Sequence, residues 1–154
     1  MHHLTTMKYS IKTVALLALM AHAAACPISA EHHCYSMLKN DTLIIGNQVV
    51  ERKFLWNDGQ LITHSIVDKK GNHTLFNKGN ACDFMINAKE KVFPSNAQYQ
   101  MMWVESNSIH ESYLKTIITY AVADVQIRRE YRIYEDCPVI ACDTYLKGSL
   151  HDVS

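Results

Sequence analysis

The segment VQIRREYRIY, residues 125–134, alternates between two sets of side chains, and this alternation decides the fold class. Successive side chains of a β-strand point to opposite faces of the sheet, so a period of two predicts a strand with one buried face and one solvated face. The expected buried set is Val125, Ile127, Arg129, Tyr131 and Ile133, and the expected solvated set is Gln126, Arg128, Glu130, Arg132 and Tyr134.

Short runs rich in Ile, Val, Thr, Tyr and Phe extend outward from this segment, and Asn, Asp and Gly separate them. These residues tolerate the positive φ angles of hairpin turns, as in Asn57-Asp58-Gly59. No run after residue 30 shows helical periodicity, so the sequence predicts an all-β fold, an antiparallel β-sandwich over residues 38–154. The predicted strands are 42–45, 48–56, 60–68, 74–76, 82–86, 99–105, 113–123, 125–134 and 139–147.

Residues 1–30 have the order of a secretory signal peptide. Lys8 and Lys12 precede an apolar run from Val14 to Ala21, and small residues follow. The run is shorter than the roughly 20 residues that a membrane-spanning helix needs. We therefore expect a secreted or periplasmic bacterial protein.

Two cleavage positions fit this signal, and they lead to different locations. Cleavage after Ala30 releases a soluble protein that begins at Glu31. Cleavage after Ala25 leaves Cys26 at the amino terminus, where bacterial lipoproteins carry their lipid, and anchors the chain to the outer membrane. The string AAAC, residues 23–26, is similar to a lipobox but lacks the preferred Leu at its first position.

The remaining cysteines leave their chemical state open. Cys34, Cys82, Cys137 and Cys142 allow three disulfide pairings, and buried free thiols are an equally good interpretation. None of them belongs to a Cys-x-x-Cys pair, so no metal site is predicted. The neighbouring His32 and His33 are expected to form a solvated terminus.

Charge and motifs exclude several classes of function. Fifteen basic and fifteen acidic residues cancel, and no basic cluster of the density that nucleic-acid binding needs is present. The sequence contains no Gly-x-Ser-x-Gly motif, no His-Glu-x-x-His motif and no glycine-rich phosphate loop. Most candidate carboxylates, such as Asp41 and Asp68, fall at predicted turns, where they bind backbone amides. No catalytic residue and no cofactor is predicted.

Aromatic residues offer the remaining candidate binding chemistry. Trp56 lies beside a predicted turn, Asp58 lies within that turn, and Trp103 lies in a predicted strand. An exposed indole stacks on a sugar ring, whereas large aromatic residues in β-sandwiches more often belong to the core. Trp56, Asp58 and Trp103 are the candidate carbohydrate contacts.

Two parts of the chain resemble a known family, and they occur in the family's order. Residues 41–61, DTLIIGNQVVERKFLWNDGQL, and residues 128–140, RREYRIYEDCPVI, are similar to the amino-terminal β-supersandwich domain of melibiase-type α-galactosidases. The resemblance implies a galactose mutarotase-like supersandwich that packs on a catalytic (β/α)₈ barrel. The catalytic carboxylates of that family lie on the barrel, and no alternating βα pattern occurs in this sequence, so no catalytic residue is carried over.

Three functional hypotheses follow. The first is the non-catalytic amino-terminal portion of a secreted glycoside hydrolase, truncated before the barrel and inactive alone, with an incomplete sandwich. Its partners would be the barrel domain and a carbohydrate such as an α-galactoside. The alternative is a stand-alone carbohydrate-binding surface lipoprotein anchored through Cys26. A third hypothesis is a cell-surface interaction domain that binds partners through edge strands.

Overall fold

The computed structural model describes residues 32–86 and 93–149, which form nine β-strands in two antiparallel sheets. The predicted antiparallel β-sandwich is confirmed. The predicted signal peptide, both cleavage positions and Cys26 lie outside the described residues. Within the described ranges, no helical segment has the length and apolar character needed to cross a bilayer.

Each sheet follows the order of the chain, so every strand pairs with its sequence neighbour. The first sheet contains β1 (Tyr35–Lys39), β2 (Thr42–Gly46), β3 (Val50–Asn57), β4 (Gln60–Asp68) and β5 (His73–Phe76). The second sheet contains β6 (Ser95–Val104), β7 (Tyr113–Val122), β8 (Val125–Ile133) and β9 (Ile140–Lys147).

The core lies between the inner faces of the two sheets. Phe54 on β3 contacts Tyr131 on β8 across this interface, with ring centroids 5.5 Å apart. The predicted alternation of β8 is confirmed on its buried face, whereas Glu130 of the predicted solvated face is also buried. The other buried core residues are Cys34, Leu43, Ile45, Leu61, Leu114, Ile118, Tyr120, Val122, Val125, Ile127 and Ile133.

The hairpin between β3 and β4 packs directly on the second sheet. Asp58 and Gly59 form its turn with φ angles of 46° and 91°. A Cβ atom on Gly59 would lie 2.7 Å from the Cβ of Tyr120, so only glycine fits both the backbone conformation and the contact. Asp68 also fulfils its predicted turn role, because its Oδ1 accepts hydrogen bonds from the amides of Lys70 and Gly71.

The Asn47 side chain makes four hydrogen bonds, two within the β2–β3 loop and two to the loop that follows β8. Its side chain is fully buried, and its Oδ1 accepts from the amides of Val49 and Val50, each at 2.8 Å. Its Nδ2 donates to the carbonyls of Tyr134 and Cys137, each at 2.7 Å. Asn47 therefore fixes the β2–β3 loop against the loop that follows β8.

Three local predictions are wrong. β1 was not predicted, although the chain reverses at Asn40 and Asp41, both at positive φ, and pairs Leu38 with Leu43. Residues 82–86 form no strand. His32 is not solvated but half-buried, because its ring stacks on Trp103 at 3.7 Å.

Asn47→Ala is expected to lower the free energy of unfolding by about 2–4 kcal/mol, because two carbonyls and two amides lose their partners inside the protein. Urea denaturation of the variant measures the change. Gln48→Ala is the matched control at an exposed neighbour and is expected to change stability by less than about 0.5 kcal/mol. Equal effects of the two substitutions would contradict the role of Asn47.

Candidate functional site

The inner face of the first sheet becomes progressively uncovered toward β5. Ile45, Arg52, Ile66 and Leu75 form one row across the sheet, each paired with the next. Ile45 is fully buried, Arg52 and Ile66 are half-buried, and the Leu75 side chain is 71% exposed. The second sheet therefore covers β2 and leaves β5 bare.

The inner face of the second sheet shows the same trend toward β9. Tyr120 pairs with Ile127, and Ile127 pairs with Leu146. The first two residues are buried, whereas Leu146 is 50% exposed. In the adjacent row, Arg129 is buried and its partner Thr144 is exposed.

Both uncovered regions lie on the same side of the sandwich. Ser36 on β1 hydrogen bonds to Tyr99 on β6 at 2.9 Å, and Phe54 on β3 contacts Tyr131 on β8. Because the sheets run in the same order, β4 and β5 follow on the side of β9. We call this region the open side, and its inner-face residues are Ile66, Leu75, Cys142, Thr144 and Leu146.

Arg129 is the unusual residue beside the open side. It belongs to the buried face of β8 and is only 6% exposed. Its Nε and Nη1 atoms have no hydrogen-bond partner, its Nη2 lies 3.5 Å from the Sγ of Cys142, and it forms no ion pair with a described carboxylate. Burying a cation without an anion costs several kcal/mol, so this guanidinium needs a physical explanation.

Two tyrosine hydroxyls near Arg129 are also unsatisfied. The OH groups of Tyr120 and Tyr131 are buried and have no hydrogen-bond partner. Burial raises the pKa of Tyr120 to about 12, and the charge of Arg129 opposes that rise. Burial also raises the pKa of Tyr131, whose ring centroid lies 5.2 Å from the Cζ of Arg129. Both phenols are therefore protonated hydrogen-bond donors at neutral pH.

An ion pair holds residues 82–86, which follow β5, against β4. Arg52 donates from Nη2 to Oδ2 of Asp83 at 2.5 Å. Oδ1 of Asp83 accepts from the amide and the hydroxyl of Thr63 at 3.0 and 2.7 Å. The connection fixes the segment before β6 on β4, so that Phe84 and Ile86 pack against the core. Both carboxylate oxygens of Asp83 therefore already accept hydrogen bonds from Arg52 and Thr63.

The four described cysteines are free thiols, so no disulfide constrains the described residues. Cys34 is buried and donates to the carbonyl of Ile133, whereas Cys142 is exposed on β9. Residues 32–86 and 93–149 contain no group of three metal-ligating side chains.

The structure separates Trp103 from the other two candidate carbohydrate contacts, Trp56 and Asp58. Trp56 packs against the core beside Leu61, and Asp58 is exposed at the adjoining turn. Trp103 pairs with Leu114, six residues along β7 from Tyr120, which lies near that turn. At about 3.3 Å per residue, the two indoles lie ~20 Å apart and form no common platform.

Sequence reasoning missed a polar groove next to the β3–β4 hairpin. It has a volume of about 240 Å³ and lies at the end of the second sheet where β7 turns into β8. Tyr120, which touches Gly59, lies at its wall. Its polar side chains are Asn96, Gln98, Thr119, Asp124 and Gln126.

Comparisons with protein-family models, with curated protein sequences and with solved structures gave no match to this chain.

The cysteines are expected to react with iodoacetamide at very different rates. Burial, with a contribution from Glu135, raises the pKa of Cys34 from 9.0 to about 11, so its reactive thiolate is roughly 100-fold scarcer at pH 8. Mass spectrometry of the folded protein should find Cys142 modified first and Cys34 last. In 8 M urea all four thiols should react alike, and rapid modification of Cys34 in the folded state would contradict its burial.

Proposed function

We propose that this chain is a non-catalytic β-sandwich module that packs its open side against another protein domain. The resemblance to the α-galactosidase supersandwich suggests that this domain is a glycoside hydrolase barrel, located on the same polypeptide or on a separate one. The observation that carries the proposal is the exposure of two leucines, Leu75 and Leu146, on the inner faces of β5 and β9.

Apolar exposure on the inner face is uncommon for a sandwich. Single exposed apolar residues need no explanation, but a group of them beside a core is typical of a protein interface. Leu75 and Leu146 come from different sheets and lie on the same side, Leu75 toward the end that carries Asn47 and Leu146 toward the β3–β4 hairpin. At about 3.3 Å per residue, a covering surface spans ~20 Å along the strands. A domain that covers both would complete the core that β2, β3, β7 and β8 begin.

The edge strands support the same proposal. In the part of the chain that the structure describes, β5 and β9 each pair with only one strand, so one edge of each has no neighbouring strand there. A covering domain can satisfy the backbone groups of these edges by strand addition or by side-chain contacts. β9 has eight residues, which is long for an unprotected edge.

The described carboxylates support a structural role. Asp83, Glu130 and Asp143 each form an ion pair with an arginine, and Glu51 pairs with Lys53 and Lys69. Burial opposes the ionisation of Glu51, but hydrogen bonds from Tyr35 and Lys53 lower its pKa below the usual value. These are the properties of structural ion pairs, whereas a general acid needs a raised pKa.

Site-specific photo-crosslinking tests the covered surface. A benzoylphenylalanine at position 75 or 146, in the full-length protein in its own cells, is expected to crosslink to one and the same domain. Leu55 is the matched control, because it is an exposed leucine on the outer face of β3. Mass spectrometry is expected to identify a barrel-type sequence in the product.

Three results would contradict this proposal. One is a lack of product from positions 75 and 146. Another is the same product from position 55. The third is a product that contains only two copies of this chain, since self-association would then explain the exposed residues.

The polar groove favours a second candidate function, carbohydrate binding. Amide, hydroxyl and carboxylate groups in a concave site are suited to hydrogen bonding with sugar hydroxyls. Asp58, one of the candidate contacts, lies on the hairpin that touches the groove wall. This function requires neither the open side nor a neighbouring domain.

A glycan array and calorimetry with α-galactosides test the groove. If the groove binds sugar, the double variant Gln98→Ala/Gln126→Ala should weaken binding by at least about tenfold, because two hydrogen-bonding amides are lost. Gln100→Ala, an exposed glutamine on β6 outside the groove lining, should bind like the unmodified protein. No binding across the array would exclude this second candidate.

A further inference from the structure

We propose that Arg129 is the receptor for a carboxylate that enters between the two sheets from the open side. The carboxylate can come from two sources. If it is an acidic side chain of the covering domain, this inference rests on the proposed docking function. The other source is a free organic acid. Binding of a free acid does not require any domain to dock.

The first argument is that no carboxylate within residues 32–86 and 93–149 forms an ion pair with Arg129. Its Nε and Nη1 atoms are buried and unpartnered, and the Sγ of Cys142, 3.5 Å from Nη2, is only a weak acceptor. The Tyr131 ring, 5.2 Å away, provides a cation–π contact but no negative charge. The guanidinium thus keeps most of its hydrogen-bonding capacity for another group.

The second argument is the contrast with the other arginines of the sandwich. Arg52 pairs with Asp83, Arg128 with Glu130 and Arg132 with Asp143. These three arginines are all more exposed than Arg129, and yet each has a carboxylate partner. The most deeply buried of the four arginines therefore lacks, among the carboxylates that the structure describes, the partner that it needs most.

The charge and the donors around Arg129 select the class of ligand. One unmatched positive charge is neutralised by a monoanion, whereas a sulfate or phosphate dianion would bring excess negative charge into a region of low dielectric. The hydroxyls of Tyr120 and Tyr131 add two unpartnered donors. A carboxylate has two oxygens that accept both from a guanidinium and from hydroxyls.

The route to Arg129 runs past β9. Thr144 is paired with Arg129 across the two strands, and Cys142 lies beside it on the same face. Both residues are exposed. The exposed Cys142 side chain, whose Sγ lies 3.5 Å from Nη2, is therefore the contact that a carboxylate entering from the open side would replace.

Thermal unfolding of the full-length protein, at constant ionic strength, tests binding of a free acid. The probes are acetate, benzoate, chloride, sulfate and phosphate. At ten times its dissociation constant, a carboxylate is expected to raise the melting temperature by roughly 5 °C. The shift should persist in Arg128→Met, which changes the neighbouring, exposed and ion-paired arginine, and should disappear in Arg129→Met.

The variants also report whether Arg129 is merely structural. Without added anion, Arg129→Met is expected to melt at or above the temperature of the unmodified protein, because an unpaired buried charge is removed. Arg129→Lys keeps the charge but lacks the planar fork, and it is expected to retain only part of the carboxylate shift. A large fall in the melting temperature of Arg129→Met, together with an unchanged response to carboxylates, would overturn the proposal.

Crosslinking from position 146 distinguishes the source of the carboxylate. If no free acid shifts the melting temperature but Arg129→Met abolishes crosslinking and Arg128→Met does not, the carboxylate comes from the covering domain. A carboxylate shift without any crosslinked domain supports Arg129 as a receptor and contradicts the proposed docking. Crosslinking that persists in Arg129→Met, without any carboxylate shift, leaves the docking intact and overturns this inference. A shift given by sulfate or phosphate and not by carboxylates would also overturn it.

Discussion

The contact between the inner faces of the two sheets extends over only part of each sheet, and the rest of the structure depends on this limit. Phe54 and Tyr131 lie at its centre, and Asn47 ties the end of β2 to the chain that follows β8. Because the sheets contain five and four strands and align from β1 on β6, β5 has no strand opposite it. The inner-face residues Thr144 and Leu146 of β9 are exposed as well, and together with β5 they form the open side.

Alternation along the chain was enough to predict the fold class, since β8 combines a strict period of two with a fully buried face. It was not enough for β1 or for residues 82–86. β1 is only five residues long, and its sequence YSMLK does not alternate between apolar and polar residues, although it pairs with β2 through the turn at Asn40 and Asp41. In residues 82–86, Phe84 and Ile86 pack against the core, but Asp83 binds the edge of β4 at Leu61 and Thr63 in place of regular strand pairing.

The candidate site was only partly visible in the sequence. The pattern of residues 125–133 placed Arg129 on the buried face, and a lone cation among apolar residues was the signal that would have identified it. The sequence does not show whether such a cation has an anionic partner, because the residues around it come from other strands. Here Ile118 and Thr144 are its neighbours on the adjacent strands, and the opposite sheet supplies the rest of its surroundings. The candidate tryptophans were chosen for their chemistry alone, which does not distinguish a core position such as that of Trp56 from a binding surface.

Two departures from ordinary packing lie within a few residues of each other in this sandwich. Leu146 is an apolar residue that is exposed to solvent, and Arg129 is a charged residue that is buried. A covering surface that is apolar at its centre and carries one acidic group would correct both at once, because it would remove Leu146 from water and neutralise Arg129. Natural sequences usually agree with their fold at every level, and departures from that agreement concentrate at functional sites. The shared location of these two departures is therefore a physical argument that the open side, and not the groove at the β7–β8 turn, is the main interaction surface of the module.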